Sequence, residues 1–235
     1  MPKKSGYFRR TFSSFFIELL LIILGVLSAL AVENYRESIT EKKKEKEYLV
    51  ALRDALQSDT AVIKREIQRC FSKQNACVIF LQLVETNKPV EIPQEKFEDM
   101  TTSIVMLIDP VYNTAIYEDL KSSGNLKIIS NNDLRNSVIN HYADLYKVSQ
   151  RLTESAPLTA YNENFTDLLE VEEFSFDKEI SQAQFVAKLK RNENSRLYLE
   201  RLQKRMIVMR NLFIYQMLPK SLDLLDKINL EISKK

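Results

Sequence analysis

Glycine is almost missing from this chain of 235 residues: three occur, Gly6, Gly25 and Gly124. Loops that cradle a phosphate need several glycines close together, so that the backbone can approach the anion. Their scarcity excludes P-loop and dinucleotide-binding folds. One histidine, His141, and two cysteines, Cys70 and Cys77, are present, and there is no tryptophan. That set cannot furnish the usual zinc ligands, and two cysteines do not make a disulfide framework. No cofactor or metal is therefore expected. A strong charge of one sign is lacking too. The net charge is +2, and Lys3, Lys4, Arg9 and Arg10 place +4 in the first 12 residues, so the remainder sums to −2. A body so close to neutrality does not have the basic excess of a nucleic-acid binder. What is abundant is apolar: 45% of residues are hydrophobic against 28% charged, enough for a packed core.

Residues 13 to 32 read SSFFIELLLIILGVLSALAV, interrupted by a single charge, Glu18. Twenty helical residues span about 30 Å, the thickness of a bilayer core. Four readings compete. A transmembrane anchor is favoured. A cleavable signal peptide is the next, since Ala29-Leu30-Ala31 fits a small-x-small cleavage site. Against cleavage stand the acid at the head of the apolar run and the lack of a helix breaker near the site. A buried soluble helix and an interfacial helix fit less well, because the run is apolar on all sides. Glu18, Ile22, Gly25 and Ala29 fall on one helical stripe, and Gly25 and Ala29 form a small-xxx-small pair. Small residues let two helices approach, and a carboxyl prefers a partner to lipid. This face is expected to carry self-association; the bland alternative is that Glu18 snorkels and Gly25 is incidental. Counting Lys and Arg on the two flanks gives no clear winner for orientation. The close, purely basic N-terminal flank favours a cytoplasmic N-terminus and an extracytoplasmic body.

The body reads as helical. No Pro or Gly occurs from Glu33 to Glu85, and Leu49, Leu52, Leu56, Ile63, Ile67, Cys70, Cys77 and Leu81 recur at helical spacing, with Asp59 and Gln74 in the gaps. A break near Ser58-Asp59-Thr60 is open, since these residues favour caps. The stretch Glu41 to Glu47 reads as a solvated collar of mixed charge, with headgroup contact as the functional alternative. The two cysteines, seven apart on a helix, sit too far apart for a disulfide and read as small buried hydrophobes. Pro89 and Pro93 mark a loop, and helices are expected at about 94–107, 114–122 and 134–152. Gly124 reads as a helix C-terminal cap, and Ser130 to Asp133 as a capping box. His141 lies on an apolar stripe and reads as a packed, hydrogen-bonded ring, against a ligand or pH-sensing role. Ser122 and Ser123 lack the glycine frame of a nucleophile elbow. Residues 157–170 look helical and 171–178 a loop; the acids between Glu163 and Glu179 lack calcium-loop spacing. Helices at about 180–190 and 193–232 close the chain, with Pro219 expected to kink the last or split it.

Two stretches resemble a family. Phe16-Ile-Glu18 through Gly25-Val-Leu-Ser-Ala-Leu30 to Glu33-Asn-Tyr-Arg36, and Tyr117-Glu-Asp-Leu-Lys-Ser-Ser-Gly-Asn-Leu126 followed by Leu134-Arg and Asn140-His-Tyr142, are similar to an uncharacterised bacterial family of single-pass membrane proteins. Tyr35 stands where that family often has Trp. The resemblance implies a bacterial inner-membrane protein and carries no activity and no catalytic residues.

The expected fold is all-α: an N-terminal transmembrane helix followed by an elongated antiparallel helical bundle. A basic tail (1–12), the span (13–32), a long amphipathic helix (33–86) and a helical bundle domain (87–235) make up the chain. The expected role is a membrane-anchored interaction module, scaffold, sensor or accessory subunit, and not an enzyme. Its partners would be the lipid bilayer, further copies of itself and a protein partner, with no nucleic acid. The alternative is a homo-oligomeric channel or membrane-perturbing effector built through the span.

Overall fold

A computed structural model describes residues 7–86, 92–106, 108–153 and 181–234. Among these the chain is all-helical, without strands. Helix α1 runs unbroken from Tyr7 to Glu85, 79 residues or about 120 Å. It joins the expected span and the expected amphipathic helix into one element. The caps anticipated at Ser58-Asp59-Thr60 do not form. The Asp59 carboxylate accepts instead from the distant Asn113 amide (2.6 Å), and the Thr60 hydroxyl donates to its own helix at Gln57 (2.7 Å). Thr86 closes α1, its amide and hydroxyl both donating to the Gln82 carbonyl.

Helix α2 covers Gln94–Val105 and α3 covers Ala115–Ser122. After α3 the Ser123 amide returns to the Asp119 carbonyl, and Gly124 takes a left-handed φ of +72°. A Cβ there would meet nothing within 4 Å, so the requirement is for backbone freedom and not for space. A 3-10 turn at Asn125–Ile128 leads into α4, Asn132–Thr153. The cap of α4 is Asn131, not Ser130: its side-chain oxygen accepts from the amides of Asp133 (3.1 Å) and Leu134 (3.2 Å). Ser130 is unavailable because its amide and hydroxyl both donate to Glu45 of α1. On α4, Tyr142 is buried and Tyr146 is exposed. The helix and loop expected at 157–178, with their acids, lie outside the described residues.

Helices α5 (Gln182–Arg191), α6 (Asn194–Leu212) and α7 (Leu218–Ser233) follow. Pro219 does not split the last pair. The five residues Phe213–Met217 form a π-turn, in which the Leu218 amide reaches back five residues to the Phe213 carbonyl. Proline has no amide to donate and crowds the carbonyl four residues earlier. The wider turn absorbs both demands, and helix continues on either side.

Helices α6 and α7 both pack along α1, α2 packs on α1, and α4 packs on α7. The shared core starts at Leu49 and includes Leu52, Leu56, Ile63, Ile67, Cys70, Cys77 and Phe80 from α1. Phe80, Phe97 and Phe185 meet with centroids 4.9 to 6.1 Å apart, tying α1, α2 and α5 together. Each such ring contributes about 1.5–3 kcal/mol by leaving water, and the tilted or edge-on contacts suit their quadrupoles. Tyr117 of α3 stacks on Tyr142 of α4 at 4.4 Å. Met206, Met209 and Met217 fill the core beside α1, while Met106 is exposed.

Candidate functional site

Three features of the fold bear on function. The first is the N-terminal part of α1. Every residue from Phe15 to Lys44 is exposed, including all of the apolar run to Val32. By length and composition the helix can cross a membrane. Glu18, Ile22, Gly25 and Ala29 lie within it, all exposed, and a Cβ on Gly25 would meet nothing within 4 Å. Glu33 to Lys44 continue the helix as a polar stalk of about 18 Å before the core begins.

The second is a row of ionisable residues inside the core. Glu45, Asp59, Glu66 and Lys73 stand on one stripe of α1 at seven-residue steps, with Leu52 completing the series. Two helical turns come close to seven residues, so these side chains share a face. Their exposures are 3%, 0%, 0% and 2%. Glu45 is thus the buried exception in a collar that is otherwise solvated, and it accepts from the Ser130 amide and hydroxyl at 2.8 Å each. One Glu66 oxygen takes Arg69 at 3.0 Å, and the other is buried without a partner. Asp59 Oδ2 is likewise buried and unpaired, and burial raises the Asp59 pKa against the pull of the Asn113 amide. Burial and the Asp59 charge raise Tyr142, whose hydroxyl is also buried without a partner. The Lys73 ammonium donates to the Met106 carbonyl, and burial lowers its pKa to about 8. The sequence reading passed over this row. Its signal was available: charge recurring at one heptad position of an otherwise apolar face.

Cys70 and Cys77 flank Lys73 as free, buried thiols, each pushed up to about 12 by burial. They are inert packing groups at neutral pH. No group of three or more His, Cys, Asp or Glu able to hold a metal occurs among the described residues. Ser122 and Ser123 donate their hydroxyls to the Asp119 carbonyl, closing α3.

The third feature is a cavity of about 250 Å³ between α4 and the π-turn with the start of α7. His141 and Asp144 line one side; Gln216, Met217 and Lys220 line the other. The expected hydrogen-bonded histidine ring is only half realised. His141 is 6% exposed and packs edge-on to Tyr142, but its Nε2 is buried without a partner. Burial lowers its pKa to about 4, so the ring is neutral at physiological pH. Lys220 pairs with Asp144 across the opening, and Lys220 first of all holds the Asp144 carboxyl below its ordinary range. The π-turn sets this geometry, since it brings Gln216, Met217 and Lys220 to one wall.

No protein-family model, curated protein or solved structure matches the chain.

Proposed function

We propose that this chain is a single-pass integral membrane protein whose body, an elongated antiparallel helical bundle, serves as an interaction module: a scaffold, sensor or accessory subunit. One observation carries the reading. A single uninterrupted helix holds an exposed apolar stretch long enough for a bilayer, then a polar stalk, then the central strut of the core. Water does not favour eighteen consecutive exposed residues of that composition, and lipid does. The antiparallel arrangement is supported by cross-links between helices. Gln74 meets Arg210, Glu85 meets Arg196, and at the opposite end Glu45 meets Ser130 while Asn131 meets Glu231. The short basic N-terminal flank supports a cytoplasmic N-terminus and, with it, a periplasmic body on a bacterial inner membrane.

In this reading α1 works as a mechanical link. The stalk holds the packed body off the lipid surface, and no loop interrupts the path between them. Interaction with other copies would run through Glu18, Ile22, Gly25 and Ala29, which lie exposed on one stripe. That stripe also supports the second reading, a homo-oligomeric channel or membrane-perturbing effector. Ion flux through liposomes carrying the purified protein separates the two.

The anchor itself is tested by alkaline carbonate extraction. The full chain should stay with the membrane pellet, and a chain beginning at Glu33 should leave it. Release of the full chain would remove the proposal, and a mature N-terminus at Val32 would replace the anchor with a cleaved leader.

A further inference from the structure

We propose that the cavity between α4 and the π-turn is a binding site for a small organic anion, held by its charged head at Lys147 and Arg151 and by its body on the wall of Met217. This inference concerns the body alone and holds whether or not the apolar helix crosses a bilayer. A cavity of about 250 Å³ equals roughly eight water molecules at about 30 Å³ each, room for a compound of about ten non-hydrogen atoms.

Charge gives the sign of the ligand. Lys147, Arg151 and Lys220 line the cavity against one acid, Asp144. Lys220 and Asp144 satisfy each other. Lys147 and Arg151 lie one turn apart on α4, both exposed and without a direct ion pair among the described residues, while the Lys147 charge adds to that of Lys220 on Asp144. Two cations four residues apart repel, and an anion between them removes that repulsion. A carboxylate or phosphate head fits the planar donor fork of Arg151 with the Lys147 ammonium beside it. Leu145, Leu212 and Met217 supply apolar surface, the usual partner of a few convergent polar groups in ligand sites.

His141 supplies the second, independent observation. The residue lines the cavity and is 6% exposed, and its Nε2 has no hydrogen-bond partner. A buried nitrogen left unpaired is costly, and native cores rarely keep one without a reason.

The probes are 4-fluorobenzoate, 4-fluorophenyl phosphate and the uncharged 4-fluorobenzyl alcohol, followed by fluorine NMR on the full chain in detergent micelles, with empty micelles as reference. At least one anion should show saturable binding, which also tells carboxylate from phosphate. The alcohol should bind about tenfold more weakly or worse, and the double variant Lys147→Gln/Arg151→Gln should lose about tenfold or more, as expected when charge-assisted hydrogen bonds vanish. Gln216→Trp, which fills the opening from an exposed position, should block binding while leaving the circular dichroism unchanged. No saturable binding of either anion, equal binding of the alcohol, or undiminished binding by the double variant overturns the proposal.

Discussion

Replacing Lys73 by Met should stabilise the protein at neutral pH, and the gain should reverse in alkali. The side chain is 2% exposed, and its ammonium meets the Met106 carbonyl. Burial lowers its pKa from 10.5 to about 8. At about 1.36 kcal/mol per unit, the folded state at pH 7 carries a cost of about 3 kcal/mol for keeping this cation. The sign follows from linkage. A folded-state pKa below the unfolded one means that the stability is fully present above pH 10.5 and is lost as pH falls through 8. Methionine has similar length and no charge, so it escapes this cost. It leaves the Met106 carbonyl without its donor, which costs about 1–3 kcal/mol. The net gain at pH 7 is about 0–2 kcal/mol, a rise of up to about 8 °C in Tm for a chain of this size. Above pH 10.5 the wild-type amine is neutral in both states, keeps its hydrogen bond, and should be the more stable. Thermal melts followed by circular dichroism from pH 7 to 11 measure both limbs. A variant that melts lower than wild type at pH 7, with no crossing in alkali, would show that Lys73 is compensated inside the core and that the buried row is a stabilising network.

His141→Leu should flatten the acid limb of stability: the wild type loses about 3 kcal/mol as pH falls from 6.5 towards 4, because a ring held neutral by burial charges on unfolding, and chemical denaturation at pH 7 and pH 4.5 compares the two proteins. Gly25→Leu and Glu18→Ala should each reduce crosslinking between copies in native membranes while Ile23→Leu does not. Because Gly25 faces open space within one chain, undiminished crosslinking by Gly25→Leu would assign any assembly to the body. Phe80→Ala should cost about 3–5 kcal/mol in a urea melt by leaving a void where three rings meet; a loss under about 1 kcal/mol would mean that the core there collapses freely.

The helices were legible because their signals are local. Apolar spacing and the lack of Pro and Gly from Glu33 to Glu85 mark the body part of α1, and Gly124 ends α3 with a backbone conformation that other residues avoid. What sequence could not reveal depends on contacts across the chain. Asn131 took the cap of α4 from Ser130 because Glu45, 85 residues earlier, claimed Ser130. Asp59 continued a helix it was suited to start because the Asn113 amide claimed its carboxylate. The ionisable row was hidden by averaging: Glu45 sits in a lysine-rich run and reads as solvent-facing until its heptad partners are lined up. The cavity was the least legible feature. It is built by a π-turn, and the sequence shows only Pro219, which predicts disturbance of a helix and not its remedy.

The central claim, that α1 runs from lipid into the core as one element, is tested most directly by single-cysteine substitutions along 16–44 labelled with a water-soluble maleimide in intact membranes. The native Cys70 and Cys77 are buried with thiols at about 12, so they contribute little background. The account predicts protection from 16 to 32 that disappears on solubilisation, and free labelling from 34 to 44. Uniform labelling of 16–44 in intact membranes would contradict it.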